Sequence, residues 1–183
     1  LNNLAETGIS VADIMSDHWA TYGRNYYSRH DYEAVDAGRA NEMMDALRAK
    51  FDSLPGQTFA AGTVATADEF AYDDPVDGSR SEGQGIRIVF ESGSRMVFRL
   101  SGTGTVGATL RVYLEAFEDN PAHLHADAEE ALSDVTASAE AIAGIKEFTG
   151  RDAPDVKTRP SPSGPNTRQM QPRRSPIGHA IRL

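Results

Sequence analysis

The fold is decided by residues 86–100, which read IRIVFESGSRMVFRL. Two short runs rich in β-branched and aromatic residues, 86–91 and 95–100, flank a Ser-Gly-Ser turn. This pattern predicts a β-hairpin. Because side chains alternate between the two faces of a strand, the apolar residues of the second run share one face and Arg95 and Arg99 lie on the other. The hairpin is therefore expected to have one apolar face and one face that carries arginines.

The flanking sequence adds further strands to this hairpin. Residues 62–72 and 25–32 are both rich in residues that favour strands. After a glycine-rich loop, residues 108–115 alternate between apolar and polar side chains, which predicts another half-buried strand with Arg111 on its polar face.

Three helices are expected around these strands. Ser10 and Asp13 have the spacing of a capping box, so the first helix is predicted over about 10–22. A second stripe of apolar residues predicts a helix at about 36–51. Asn120-Pro121 is a plausible helix start, from which a third helix would continue to about Phe148. The expected class is α+β, with an antiparallel sheet backed by two helices.

Composition and charge exclude several classes of protein. Apolar residues make up 39% of the chain, and no apolar run approaches the length of about 20 residues that spans a bilayer. The formal charge is −9, which disfavours binding to a nucleic-acid backbone. The absence of cysteine excludes disulfides and suits a reducing compartment. No signal peptide is visible, and a start at Leu1 instead of Met suggests that an amino-terminal portion is missing.

The last 25 residues differ from the rest of the chain. Residues 159–183 contain five arginines, five prolines and no acidic residue, which leaves a charge of −14 on residues 1–158. Such a segment offers too little apolar surface to form a core. We therefore expect a disordered Pro/Arg-rich tail, and an acidic body that holds any phosphorylated ligand through a local basic site.

The segment most suited to chemistry runs from Arg99 to Arg111. Gly102 and Gly104 permit backbone conformations in which successive amide hydrogens converge on one anion. If the loop joins neighbouring strands, the two arginines flank its mouth and can approach a phosphate from two sides. From the residues alone, a Gly-Thr-Gly connection between strands is more often just a tight turn, although the two arginines favour the phosphate site. Neither a Walker loop nor a dinucleotide fingerprint fits, because the loop leads into a strand.

Two other motifs resemble metal sites but are better explained otherwise. Residues 73–78 superficially suggest a calcium loop, yet Pro75 and Gln84 occupy positions where such loops need ligands. His123 and His125 have no obvious third ligand. The simpler interpretation of residues 73–78 is a solvated turn. The two histidines are more simply explained as part of a segment that precedes an amphipathic helix.

The stretch 99–111 resembles the phosphate-binding loop of phosphoglucomutases in the α-D-phosphohexomutase superfamily, because RLSGTG at 99–104 is followed by GATLR at 107–111. Further segments agree with this family in the same order along the chain, namely His18-Trp19, Tyr22-Gly23-Arg24-Asn25, Arg29 to Glu33, Tyr72 to Ser79, and Thr149-Gly150-Arg151 with Pro154. The resemblance covers about residues 8 to 158.

The resemblance implies the carboxyl-terminal part of a four-domain enzyme. Residues 1–23 would end the third domain, an α/β domain, and contain its last helix. Residues 24–158 would form the fourth domain, with a TATA-binding-protein-like α+β fold, followed by the tail at 159–183. The phosphoserine, magnesium and sugar-recognition loops of the family lie upstream, so the resemblance implies no catalytic and no metal-binding residue in this chain.

The resemblance also implies a binding site for the substrate phosphate that is not being transferred. Its residues would be Arg99, Ser101, Gly102, Thr103, Gly104, Thr105 and Arg111. Thr105 stands where a serine is common in the family, and Val106 replaces a small residue.

The implied reaction interconverts glucose 1-phosphate and glucose 6-phosphate through a phosphoserine and a glucose 1,6-bisphosphate intermediate, with Mg²⁺ held by the upstream domains. The implied partners are these sugar phosphates and the upstream domains, with no nucleic acid and no membrane, and the implied location is the cytoplasm. The chain alone is expected to be inactive. The alternative function is that of a non-catalytic phosphosugar-binding or scaffolding relative.

Overall fold

The structure is a computed structural model that describes residues 6, 8–102 and 107–159. Its strands are β1 (Arg24–Val35), β2 (Thr58–Phe59), β3 (Gly62–Glu69), β4 (Tyr72–Asp73), β5 (Arg80–Ser81), β6 (Ile86–Phe90), β7 (Arg95–Ser101), β8 (Ala108–Glu118) and β9 (Val156–Thr158). Its helices are α1 (Val11–Tyr22), α2 (Ala37–Arg48), α3 (Ala128–Ala131), α4 (Ser133–Ala143) and α5 (Ile145–Thr149).

Seven of these strands form one antiparallel sheet of order β2-β3-β6-β7-β8-β1-β9. The predicted hairpin is confirmed, since β6 and β7 pair with Ile86 opposite Phe98. Its turn contains Gly93 in a left-handed conformation with φ of 83°. The short strands β4 and β5 form a separate two-stranded ribbon. The predicted α+β class and antiparallel sheet are thus confirmed.

Helices cover one face of the sheet and leave the other open. Met96 and Phe98 of β7 point towards the helices and are fully buried. Helix α2 contributes Met43 and Leu47 to the same core, and α4 contributes Ile142. Burial of each such side chain stabilises the fold by about 1.5–3 kcal/mol. None of the helices in the described ranges is both long enough and apolar enough to cross a membrane.

The prediction of one helix from Asn120 to Phe148 is wrong. The Asn120 side chain accepts a hydrogen bond from the amide of Ala122 at 3.1 Å, which holds a turn instead of a helix start. Helical structure begins only after Asp127, whose carboxylate accepts a hydrogen bond from the amide of Glu129 and so caps the helix. Gly144, in a left-handed conformation, then ends α4 and separates it from α5. Three short helices therefore replace the single predicted one.

Helix α1 begins as predicted and is attached to the domain at its carboxyl end. Ser10 and Asp13 form the expected capping box. No α1 residue is buried. The guanidinium of Arg24 lies between the rings of Trp19 and Tyr26, 4.2 and 4.0 Å from their centroids, and so joins the end of α1 to the sheet.

Strand β9 lies along the outer edge of β1 and was not predicted. It pairs with residues 29–31, and the amide of Asp155 donates to the carbonyl of Asp31 at 2.9 Å. Lys157 and Arg159 both bind the carboxylate of Glu129 in α3. This strand covers an edge that would otherwise expose unpaired backbone groups. The rest of the tail predicted to be disordered, from residue 160 onward, lies outside the described residues.

Candidate functional site

The structure brings the two predicted arginines together at one end of the open sheet face. Strands β7 and β8 pair so that Arg99 lies directly opposite Arg111, and Ser101 directly opposite Thr109. The loop between these strands leaves β7 at Gly102 and enters β8 after Gly107, both with positive φ. Three further predicted site residues, Thr103, Gly104 and Thr105, lie outside the described residues, as does Val106.

The end of the loop packs closely against the end of β1. A Cβ atom on Gly107 would lie 3.0 Å from the carbonyl oxygen of Val35 and 3.2 Å from Cα of Ala34. The register of β1 against β8 shifts between Tyr32 and Val35, and Ala34 has φ of 50°. The close approach of the β1 backbone thus leaves no room for a side chain at position 107, which favours glycine there. Sequence reasoning did not single out Ala34, and only a contact between segments distant in the chain reveals it.

Gly85, which directly precedes β6, lies against the side chain of Arg99. A Cβ at position 85 would lie 2.7 Å from Arg99 Cγ and 2.9 Å from the carbonyl oxygen of Phe98. The stem of Arg99 therefore occupies the space that a side chain at position 85 would need. Sequence reasoning also missed this residue, although a glycine directly before a strand hinted at a close approach.

Five arginines of the described residues lie on the open face, and three of them are paired with carboxylates. Arg29 contacts Asp31 at 2.9 Å, Arg87 binds Asp68 at 2.6 Å, and Arg95 binds Glu115 at 2.8 Å. The hydrogen bonds to Asp68 raise the pKa of Arg87.

Arg99 and Arg111 differ from these three arginines. No carboxylate of the described residues lies within 4.0 Å of either guanidinium. Like charges placed directly opposite each other on neighbouring strands are destabilising unless an anion lies between them. The pair therefore has the electrostatic character of an anion-binding site.

A buried polar cluster lies beside Arg111. Asp31 of β1 is directly opposite Arg111 across the β1–β8 ladder and is only 5% exposed. Although Arg29 Nε and Asp31 Oδ1 are close, their alignment is too poor for a hydrogen bond, and neither atom has another partner in the described part of the chain. Arg111 Nε is likewise buried and lacks an acceptor there. The close approach of Arg29 and Asp31 is best regarded as a contact between charges.

A cavity of about 610 Å³ extends from Arg99 along the open face. Its lining combines four of the five arginines with the aromatic rings of Tyr27, Phe70 and Tyr113. This volume lies within the range of about 300–1,000 Å³ that is usual for small-molecule sites. The predicted anion site therefore opens into a space large enough for a sugar.

The two motifs that resemble metal sites are explained by ordinary hydrogen bonding and packing. Asp74 and Asp77 each accept a hydrogen bond from a backbone amide two residues further on, which shapes the turn between β4 and β5. His123 Nδ1 lies 3.2 Å from a carboxylate oxygen of Glu118, and His125 packs against Trp19. Within residues 8–102 and 107–159 there is no cluster of three potential metal ligands.

Comparison with known proteins identifies the family. Residues 24–155 match the family described as "Phosphoglucomutase-1, C-terminal domain". A phosphoglucomutase from Rhizobium radiobacter is 54% identical over 158 residues, covering 86% of this chain and 29% of that protein. A probable phosphoglucomutase, cytoplasmic 1, from Arabidopsis thaliana is 51% identical over 157 residues, covering 82% of this chain and 27% of that protein.

A solved structure agrees with these sequence matches. The open form of the exocytosis-sensitive phosphoprotein pp63/parafusin, a phosphoglucomutase from Paramecium, superimposes with a TM-score of 0.74 at 44% identity. The match covers 82% of this chain and 25% of that one. The chain thus spans between a quarter and a third of the length of these relatives. It belongs to the phosphoglucomutase family, and its residues 24–155 correspond to the C-terminal domain.

Proposed function

We propose that this chain binds the non-transferring phosphate of a hexose phosphate, as the carboxyl-terminal part of a phosphoglucomutase. The observation that carries the proposal is the pair Arg99 and Arg111, opposed across β7 and β8 with no carboxylate partner among the described residues. The other open-face arginines serve as an internal comparison, since each of them has an acidic partner.

The chemistry of this pair suits a phosphate. Each guanidinium can donate two parallel hydrogen bonds to a tetrahedral oxyanion. We include Ser101, Gly102, Thr103, Gly104 and Thr105 in the site, because hydroxyl and amide donors add to the charge of the arginines. A site of this kind recognises charge and tetrahedral shape, so it can accept a phosphate from either end of a sugar.

For the complete protein we propose the interconversion of glucose 1-phosphate and glucose 6-phosphate through a phosphoserine and a glucose 1,6-bisphosphate. The phosphoserine and the Mg²⁺ site would belong to sequence upstream of this chain, as the resemblance to the family implies. Mg²⁺ would stabilise charge on the transferring phosphoryl group. The part of this chain would be to bind the other phosphate, orient the sugar and help exclude water.

The domain boundaries follow from the same proposal. Residues 1–23, with α1 and its exposed Val11 and Ile14, would end the third domain, whose remainder would cover that apolar surface. Residues 24–158 would form the fourth domain. We also propose a cytoplasmic location, which is supported by the name of the Arabidopsis relative.

A phosphate titration of the 183-residue chain tests the proposed site. We expect inorganic phosphate to shift backbone amide resonances of Ser101 and Gly102, with dissociation in the millimolar range. Arg111→Ala should weaken this binding at least about tenfold, because one charge-assisted contact contributes about 1.5–3 kcal/mol. Arg95→Ala is the matched control, since Arg95 lies on the same face but is paired with Glu115. Equal losses in both variants would mean that only general charge attracts phosphate, and the proposed site would be wrong.

A further inference from the structure

His30 is a buried histidine that lies directly opposite a lysine. In the ladder between β1 and β9, His30 pairs with Lys157, and only 7% of His30 is exposed. Residues directly opposite each other in an antiparallel pair place their side chains on the same face of the sheet. A proton on the His30 ring would therefore put two positive charges next to each other at the edge of the sheet.

The surroundings of His30 favour the neutral ring. Burial lowers the pKa of His30, and the charge of Lys157 lowers it further. The nearby carboxylates of Glu129 and Asp31 act in the opposite direction but do not reverse this effect. Among the described residues, none forms a hydrogen bond with a ring nitrogen of His30. A proton on the ring is therefore poorly stabilised as long as β9 stays in place.

The other charged groups near His30 are already paired or lie further along the cavity walls. The carboxylate of Glu129 binds Lys157 at 2.7 Å and Arg159 at 2.8 Å. Two cavities of about 340 and 350 Å³ border His30, and their remaining titratable residues are Tyr32, Glu140, Lys146 and Asp152. Of these, Lys146 and Asp152 pair with each other at 2.6 Å. The charge that most directly opposes a proton on His30 is thus that of Lys157.

Strand β9 is attached weakly to the rest of the domain. All three of its residues, Val156–Thr158, are exposed, so the strand contributes no side chain to the core. It lies at the end of the sheet and pairs with β1 over only three residue pairs. The ion pairs of Glu129 with Lys157 and Arg159 are exposed, and such pairs contribute little to stability. A short edge strand of this kind opens at a lower cost in free energy than the strands of the core.

Detachment of β9 would also change the open face of the sheet. Side chains alternate along a strand, so Thr158 lies on the other side of β9 from Lys157. Thr158 lines the open-face cavity and lies opposite Arg29, which belongs to the same wall. Strand β9 thus connects a histidine on the helix side of the sheet to the cavity on the open side.

We propose that His30 and β9 form a pH-sensitive latch: in mildly acidic solution the His30 ring takes up a proton, and β9 detaches from the edge of β1. Detachment moves Lys157 away from the ring and lets water reach it, so the protonated ring is stable in the open form. The latch closes again at neutral pH, where the ring is uncharged. This inference does not depend on the proposed phosphate site, because neither His30 nor Lys157 lines the open-face cavity.

The direction of the pH effect follows from proton linkage. In the open form the pKa of His30 is that of a solvated histidine, about 6.5, whereas in the closed form the pKa is lower. Below about pH 6.5 the open form therefore binds more protons than the closed form, and the equilibrium constant for opening rises. With one titrating group the rise is at most about tenfold for each unit of pH, and it ends at the pKa of the closed form.

Amide hydrogen exchange of the 183-residue chain between pH 7.5 and 5.5, corrected for intrinsic exchange rates, tests the latch. The reporter is the amide of Asp155, which donates to the carbonyl of Asp31 and is released when β9 detaches. In wild type we expect its protection factor to fall several-fold, and at most about tenfold, for each unit of pH below about 6.5. His30→Gln should remove this dependence. His123→Gln, at a histidine that contacts Glu118 instead, is the matched control and should behave as wild type does.

Two results with the wild-type chain would overturn the latch without recourse to a variant. One is a protection factor of Asp155 that does not change with pH. The other is an Asp155 amide as protected as the slowest-exchanging amides of β8 at every pH, since β9 would then open only with the whole domain. A pH dependence that persists in His30→Gln would overturn the role of this histidine.

Lys157→Gln provides a second variant that leaves His30 in place. Without the opposing charge, the pKa of His30 in the closed form should move closer to that of the open form, so the protection factor of Asp155 should depend less on pH than in wild type. An unchanged pH dependence in Lys157→Gln would contradict the part given to Lys157 in the latch.

Discussion

Gly85 and Arg99 are in contact in such a way that any side chain at position 85 would displace the arginine. A Cβ there would lie 2.7 Å from Arg99 Cγ, and the φ of 146° at this glycine adds backbone strain for any other residue. We expect Gly85→Ala to weaken phosphate binding by the chain, because Arg99 is moved out of line with Arg111. The phosphate titration described above measures this effect.

Gly93→Ala provides the control for that substitution. Gly93 also has a positive φ, 83°, but a Cβ there would meet no atom within 4 Å. Both variants should lose about 1–3 kcal/mol of stability from backbone strain, whereas only Gly85→Ala should lose phosphate affinity. Equal phosphate affinity in the two variants would refute the role given to Gly85.

The stability of the fold should depend on pH through His30. This residue lies on the helix-facing side of β1, opposite Lys157, with Glu129 and Asp31 as the nearby acids. Burial lowers the pKa of His30 below its usual value of 6.5, and the charge of Lys157 lowers it further. As pH falls below about 6.5, the unfolded chain takes up a proton before the folded chain does, so folding becomes less favourable until the folded-state pKa is passed.

Urea unfolding at several pH values between 7.5 and 5 tests this dependence. His30→Gln should show a smaller loss of stability than wild type as pH falls through this window, because the variant lacks the group whose proton uptake favours unfolding. The titration of carboxylates contributes equally to the pH dependence of stability in both proteins, so it cancels in this comparison. Parallel stability curves for the two proteins would show that His30 is not responsible.

The contact of Arg24 with Trp19 should hold α1 to the domain. We expect Arg24→Ala to expose Trp19, because the guanidinium between the two rings and its hydrogen bond to the carbonyl of Leu124 at 2.7 Å are both lost. Trp19 is the only tryptophan of the chain, so acrylamide quenching of its fluorescence reports directly on this contact. Arg80→Ala, a change at an exposed ion pair in the β4–β5 ribbon, serves as the control. Equal quenching in the two variants would argue against the attachment.

Local patterns in the sequence were sufficient for the sheet and for the arginines of the site. Alternation along 95–100 and 108–115 placed Arg99 and Arg111 on the polar faces of their strands, and the structure brings those strands together. The period of a strand is short, so a few residues determine which face a side chain occupies. Whether Arg99 lies opposite Arg111 depends on the register, which the length of the intervening loop helps to set.

The features that were missed depend on contacts between distant parts of the chain. Gly85 matters because of Arg99, and β9 forms only because the edge of β1 is available. The wrong helix from Asn120 had a different cause. Asn-Pro is compatible with both a helix start and a turn, and the choice is made by side-chain hydrogen bonds that the pattern does not reveal.

The most direct test of the central claim compares Arg111→Ala with Arg95→Ala in the complete enzyme that carries this chain. Rates are measured from glucose 1-phosphate and from glucose 6-phosphate, since either orientation would place one phosphate between Arg99 and Arg111. We predict that kcat/KM falls by about one to two orders of magnitude in both directions for Arg111→Ala, and by less than about threefold for Arg95→Ala. Wild-type kcat/KM in both directions for Arg111→Ala would contradict the claim and leave the loop after Arg99 as a structural turn.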